Sequence, residues 1–208
     1  MKRAISVTQL IQTKKKTLQL SPEFAAVFGS PEYRGVWFIA GNTGNGKTRF
    51  LLQLIKELSR FGKVVINSLE EADSLTIQEA FIREQMQDVT RRVILVPAEP
   101  IDEFSYRLSL KKSPKIAVID SVQYANFNFK EYLEFKEKHR DKLIIFTSQV
   151  EGKLPIGRTA QRIRYDADLK IWVEGFRAFS LGRYRGPEPY YTIWDEGANN
   201  YWGDTPEK

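Results

Sequence analysis

The stretch Gly41-Asn42-Thr43-Gly44-Asn45-Gly46-Lys47-Thr48 lies between an apolar run, Val36–Ala40, and an amphipathic one, Lys47–Phe61. It fits the phosphate-binding pattern of Gly, four residues, Gly, Lys, then Ser or Thr. The glycines let the backbone curl until successive amide N–H groups point inward. The helix opening at Lys47 adds the partial positive charge of its N-terminus. Lys47 brings a full charge to terminal phosphates, and the Thr48 hydroxyl is a ligand for Mg²⁺. Such a loop demands a strand before it and a helix after it, so it constrains fold as much as chemistry.

The same alternation continues along the chain. Val64–Asn67, Val93–Val96, Ile116–Ile119 and Leu143–Phe146 are short, continuous apolar runs rich in Val and Ile. Strands covered on both faces of a parallel sheet read this way. Between them lie helical patterns. Lys47–Phe61 gathers Phe50, Leu51, Leu54, Ile55 and Leu58 on one face and stops at Gly62, and Ser74–Met86, Ile101–Leu110 and Lys130–His139 are shorter. Right-handed crossovers then predict an α/β sandwich. After residue 168 the helical patterns stop. Leu169–Val173, Ala178–Leu181 and Tyr190–Trp194 read as strands of an antiparallel extension. Residues 1–34 differ again: Lys14-Lys15-Lys16 is a solvated basic run, and Phe24, Val27 and Phe28 predict a short helix docked on the body. The expected organisation is an N-terminal extension, 1–34, and one α/β domain, 35–208.

Composition narrows the chemistry. With no Cys and a single His, His139, in 208 residues, the chain excludes disulfide frameworks, zinc ribbons, iron–sulfur centres, thiol nucleophiles and His-clustered metals. The net charge of +6 permits a polyanionic partner. No run approaches the ~20 apolar residues of a membrane span, and Met1-Lys2-Arg3 has no apolar stretch of a leader behind it. A soluble cytoplasmic protein without membrane association is expected.

A Mg²⁺-nucleotide site needs a carboxylate at a second strand end, and Lys115-Ile116-Ala117-Val118-Ile119-Asp120 supplies Asp120. Hydrolysis also needs a group that orients or deprotonates water. Asn67-Ser68-Leu69-Glu70-Glu71 puts two carboxylates past the strand that follows the phosphate-loop helix, and Glu70 or Glu71 would face the crevice at the strands' carboxyl ends. Thr147-Ser148-Gln149 ends another strand, from which Gln149 could sense a γ-phosphate. Arg183 and Arg185, two apart, would point the same way on a strand and reach one phosphate chain together.

These stretches, in this order over residues 35–195, resemble the RecA-like P-loop ATPase family, above all the ATPase cores of DnaB-type helicases, RadA-type repair proteins and KaiC-type ATPases. The matching segments are GNTGNGKT, NSLEE at 67–71, IDSVQ at 119–123, TSQ at 147–149, RYDADLKIWVEG at 164–175 and GRYRGP at 182–187. The chain resembles the short members of phage and mobile-element gene sets, without a DnaB-type helical domain or a RadA-type zinc finger. The resemblance implies ATP and Mg²⁺ as cofactors, Gly41 to Thr48 around the phosphates, and Thr48 and Asp120 on the metal. It further implies Glu70 as catalytic base, Gln149 as sensor, and Arg183 and Arg185 as fingers reaching a neighbouring subunit's ATP in a hexameric ring or filament.

Single-stranded DNA contacts in such a fold come from the loops after Asp120 and Gln149. Here those carry Tyr124, Phe127 and Phe129, then Lys153, Arg158, Arg162 and Arg164, in a segment 150–164 that also holds Gly152, Pro155 and Gly157. Aromatics stack bases and a basic groove follows phosphates. The resulting expectation is an ATPase acting on or with single-stranded DNA in replication, recombination or repair. The competing expectation is a nucleotide-switched loader or regulator acting through a protein partner. A small-molecule kinase would want an Arg-rich lid, and a Ras-like GTPase would want Gly three residues after Asp120 and an Asn-Lys-x-Asp segment; the chain has neither.

Overall fold

The computed structural model describes residues 4–203. Met1-Lys2-Arg3, the charged start set against a leader peptide, and residues 204–208 of the expected domain lie outside the described residues. The chain runs α1 (Val7–Gln12), α2 (Pro22–Phe28), β1 (Gly35–Gly41), α3 (Lys47–Leu58), β2 (Val64–Ser68), α4 (Leu75–Arg83), β3 (Val93–Pro97), α5 (Ile101–Ser109), β4 (Ile116–Asp120), α6 (Phe129–Lys138) and β5 (Leu143–Ser148). It continues through β6 (Val150–Glu151), β7 (Leu154–Pro155), α7 (Arg158–Asp166), β8 (Leu169–Glu174), β9 (Arg177–Ser180), β10 (Tyr190–Thr192) and α8 (Asp195–Trp202).

Eight strands form one sheet in the order β10-β9-β8-β1-β5-β4-β2-β3. β1 pairs in parallel with both β5 and β8, and β2 with β3 and β4, whereas β9 and β10 run antiparallel at one edge. The fold is therefore α/β, mostly parallel, with an antiparallel β extension toward the C-terminus. One apolar core lies between the sheet and α2, α3 and α4; the other lies between the opposite face and α5, α6 and α7. Strand residues alternate between the two: Trp37 and Ile39 face the first, Val36 and Phe38 the second.

Three expectations are corrected. The run Val93–Val96 was expected to be covered on both faces, but β3 is an edge strand and only half-buried, with Ile94 exposed. Continuous apolarity cannot distinguish an edge from an interior strand. Helices do not stop at residue 168, because α8 follows β10; Trp194, Ala198, Tyr201 and Trp202, at i, i+4, i+7 and i+8, form a short apolar stripe, and Trp194 and Trp202 pack on Phe176 and Phe179. Segment 150–164 is not an open loop: it forms the β6–β7 hairpin and most of α7.

Residues 18–28 belong to the first core. Leu18, Val27 and Phe28 are fully buried, and Phe24 stacks on Tyr191 at 4.5 Å. Pro22 at the start of α2 and Gly29 just past its end are the residues such a helix favours at those places.

His139, closing α6, is 2% exposed; its Nε2 lies 2.9 Å from Ser105 Oγ and its ring packs edge-on to Phe135. Burial, with Lys138 and Lys142 nearby, lowers its pKa to about 4. The unfolded chain protonates this side chain below about pH 6.5 and the folded one only near pH 4, so stability is full above pH 6.5 and falls as pH drops through that window. The expected loss is about 2–3 kcal/mol. Urea midpoints compared between pH 7 and 4.5 should fall further in wild type than in His139→Gln; equal falls would remove His139 from the acid response.

Candidate functional site

β1 is an interior strand whose carboxyl end delivers the chain into the glycine-rich loop. A Cβ at Gly41 would lie 2.2 Å from the Val173 carbonyl oxygen of β8, so no other residue fits where the strands pass. Gly46, at φ +94°, turns the loop into α3, with Phe176 closing on its Cα side. Asn45 fastens the loop to the β8–β9 turn. Its Oδ1 accepts from Gly175 N–H at 2.8 Å, its carbonyl from Phe176 N–H at 3.1 Å, and its amide donates to the Thr43 carbonyl. Asn42, half-buried, and Thr43, exposed, complete the curl. Lys47 Nζ lies 3.3 Å from the Gly41 carbonyl oxygen.

A cavity of about 460 Å³ opens at this loop, and Lys47, Thr48, Glu70, Glu71 and Asp120 all line it. They arrive from three strand ends in one crevice, as open parallel sheets arrange them. Asp120 ends β4, beside Ser68 of β2. Its carbonyl accepts from the amides of Leu69 and Glu70, at 2.6 and 3.0 Å, which draws the Glu70 segment over the site. Thr147 donates its hydroxyl to Asp120 Oδ1. Burial pushes the Asp120 carboxyl up to about 6; the Thr147 bond opposes this, the Glu70 charge adds to it and the Lys47 charge offsets it.

Glu70 and Gln149 meet directly, Gln149 Nε2 donating to Glu70 Oε1 at 2.6 Å. Glu71 is engaged elsewhere, accepting from the Thr76 hydroxyl in the first turn of α4 at 2.5 Å. Two adjacent carboxylates at one strand end thus have different partners, and only Glu70 is tied to the end of β5. The Gln149 backbone N–H in turn donates to Gln123 Oε1, while Gln123 Nε2 donates to Ser148 Oγ and the Ile156 carbonyl. This crosslink joins the segments after β4 and β5, and Gln123 carried no signal beyond lying in the IDSVQ stretch.

The donor set suits Mg²⁺. Among the described residues no three His, Cys, Asp or Glu side chains gather in a metal-binding group. Magnesium takes few protein ligands, keeping waters and phosphate oxygens in its octahedron. The Thr48 hydroxyl and the buried Asp120 carboxylate, one oxygen of which Thr147 already orients, are hard oxygen donors on one cavity wall.

Four lining residues escaped the sequence reading: Arg49, Arg83, Phe176 and Trp194. Trp194 stands edge-on to Phe176 at 5.1 Å, and the Arg49 guanidinium lies 5.2 Å from the Trp194 ring while pairing with Glu84. The only local signal was Arg49 following Thr48; the rest are brought in by the β8–β9 turn, α4 and the β10–α8 junction.

Arg183 and Arg185 do not lie on a strand. They occupy the loop between β9 and β10, since pairing ends at Ser180 and resumes at Tyr190. Gly182 packs against Asp168 and Lys170, so this loop sits at the amino ends of the parallel strands, away from its own phosphate loop. Arg183 is 76% exposed, with Asp168 Oδ1 at 3.8 Å. Of the residues expected on nucleic acid, Tyr124 is exposed, as are Lys153 at the β6–β7 turn and Arg158 and Arg162 on α7. Arg162 lies 3.7 Å above the Phe129 ring, and Arg164 is half-buried. Phe127 is half-buried: its ring packs against Phe135 and Phe146, at 5.4 and 6.2 Å, and also lines a groove between α5 and α6.

No family model matches the chain, and no curated protein matches it. Among solved structures it is similar to the crystal structure of the flagellar accessory protein FlaH from Methanocaldococcus jannaschii, with a TM-score of 0.60 at 17% identity. The alignment covers 86% of this chain and 92% of that one. The fold is RecA-like. No helix among the described residues is long and apolar enough to cross a membrane.

Proposed function

We propose that this chain is a Mg²⁺-dependent ATPase of the RecA-like class that acts on or with single-stranded DNA in replication, recombination or repair. The observation carrying the reading is the meeting of Lys47, Thr48, Asp120 and Glu70 around one cavity, with Glu70 held by Gln149. Backbone amides of residues 42–48 and Lys47 bind the phosphates. Thr48 and Asp120 would hold Mg²⁺, which would neutralise phosphate charge when bound. Glu70 takes the proton of the attacking water, and Gln149 orients its carboxylate.

Assembly side by side would bring Arg183 or Arg185 to a neighbour's ATP. Their distance from the chain's own phosphate loop leaves only that use of them as fingers. A finger of this kind is worth about 10³–10⁵ in rate.

The exposed Tyr124, Lys153, Arg158 and Arg162 surround the segment crosslinked to Gln149 through Gln123, which supports DNA on that face coupled to the γ-phosphate. The three exposed cations predict a slope of log affinity against log salt near −2 on single strands, at about −0.7 per phosphate contact. The test is ATP turnover with and without a single-stranded oligonucleotide, beside the salt series. DNA-stimulated turnover that Lys153→Ala/Arg158→Ala/Arg162→Ala removes is the expected result. Turnover indifferent to DNA would overturn the DNA reading and leave a nucleotide switch acting through a protein partner.

A further inference from the structure

The antiparallel extension keeps one of its faces outside both apolar cores. Ile171, Val173, Ala178 and Tyr191 turn toward the first core, where α2 packs on β9 and β10. Alternation sends Trp172, Phe179 and Tyr190 to the opposite face, and no residue of β9 or β10 enters the second core there. Strand pairing sets the three rings in one row, Trp172 opposite Phe179 and Phe179 opposite Tyr190. Each ring is half-buried. Phe179 meets Tyr190 edge-on at 5.7 Å and Trp202 edge-on at 6.1 Å, so these rings do not cover one another face to face.

The same face is cationic. Lys170 and Arg177 stand two residues before Trp172 and Phe179 on their strands, hence on the same side. The Arg177 guanidinium lies 4.0 Å from the Tyr190 ring centre, and its buried Nε has no hydrogen-bond partner among the described residues. Burial, with Arg183 and Arg164 nearby, lowers the Lys170 pKa, which places Arg164 of α7 beside this edge of the sheet. The aspartates near Lys170 have other partners, Asp166 pairing with Lys136 at 2.6 Å and Asp168 facing Arg183 at 3.8 Å. Glu174 is the one carboxylate on β8, β9 and β10, and it accepts from Trp172 Nε1 and the Tyr201 hydroxyl. Three cations, Arg164, Lys170 and Arg177, thus stand against one carboxylate.

Aromatic rings on neighbouring strands, with cations beside them, suit unpaired bases and their phosphates. Sheets of RNA-binding domains stack two or three bases on such rings, and guanidinium planes serve as well. A duplex keeps its base faces inside, so only a single strand can use the row. We propose that this face binds a short segment of single-stranded nucleic acid, its bases on Trp172, Phe179 and Tyr190 and its phosphates on Arg164, Lys170 and Arg177. It is a second surface, since β1 and the α7 helix packed on it stand between the row and Tyr124 after β4. The proposal does not depend on the nucleotide reading.

The test is fluorescence anisotropy of labelled oligothymidylate and oligouridylate on the full chain carrying Lys153→Ala/Arg158→Ala/Arg162→Ala, which removes the loop cations. Binding should persist in this background, and the oligomer preferred identifies the sugar. Adding Phe179→Leu/Tyr190→Leu keeps apolar bulk but removes two rings, and should weaken binding about tenfold or more per ring. Iodouracil-bearing strands, crosslinked by ultraviolet light to the wild-type chain, should attach at Trp172, Phe179 or Tyr190, a readout that needs no variant to fold. Crosslinks that miss all three, or ring substitutions that leave affinity unchanged, overturn the proposal even if DNA stimulates turnover through the loops. So do ring substitutions that dissociate an assembly of copies while the crosslinks lie elsewhere, because the row would then be a contact between copies. If the loop cations prove idle, wild type and background bind alike and the row still accounts for the binding.

Discussion

Glu70→Gln should lower ATP turnover by about 10²–10⁴-fold, the range a positioned general base contributes, while ATP affinity stays nearly unchanged. The amide keeps an oxygen for Gln149 to donate to, so the bond between the ends of β2 and β5 survives and only the proton acceptor is lost. Because Glu70 is exposed at its loop, the fold has little to lose. Single-turnover hydrolysis with a parallel ATP titration separates the two quantities. Loss of both together would make Glu70 a binding group. Full activity would move the base to Glu71, whose carboxylate would first have to leave Thr76.

Phe28→Ala should cost about 3–5 kcal/mol, as large-to-small changes of buried aromatics do, out of a total near 5–15. Phe28 is 1% exposed and packs against Phe24 and Phe50, whose ring centroids lie 6.2 and 5.9 Å away. Phe50 belongs to α3, one turn from Lys47, so a cavity there loosens the helix that carries the phosphate loop. A urea transition read by fluorescence should move as a whole to lower denaturant. A small shift, with the main transition in place, would mean that the first 34 residues fold as an accessory to an independent body.

Asn45 shows why part of the site could not be read in advance. Its place in the phosphate-binding pattern is fixed by neighbours in sequence, and so are the strand before it and the helix after it. That its side chain would clamp Gly175, 130 residues away, and so hold the β8–β9 turn over the loop, depends on β8 lying beside β1. Trp194 and Phe176 enter the cavity by the same long-range route, and Arg83 comes in from the end of α4. Phe127 shows the same limit: an aromatic in a loop after a strand end has the composition of a base platform, and only the positions of Phe135 and Phe146 show that part of its ring is taken up by packing.

What the sequence determined by itself is everything carried by local periodicity and close spacing. The apolar runs became β1, β2, β4 and β5, the amphipathic stretch became α3, and the loop between them turns through positive φ at Gly44 and Gly46. The tertiary structure decided which strand is an edge, which carboxylate of the Glu70–Glu71 pair faces Gln149, and at which end of the sheet Arg183 and Arg185 emerge. These depend on strand order, and strand order is settled by the burial of two core faces at once, a sum over distant residues that no short window of sequence contains.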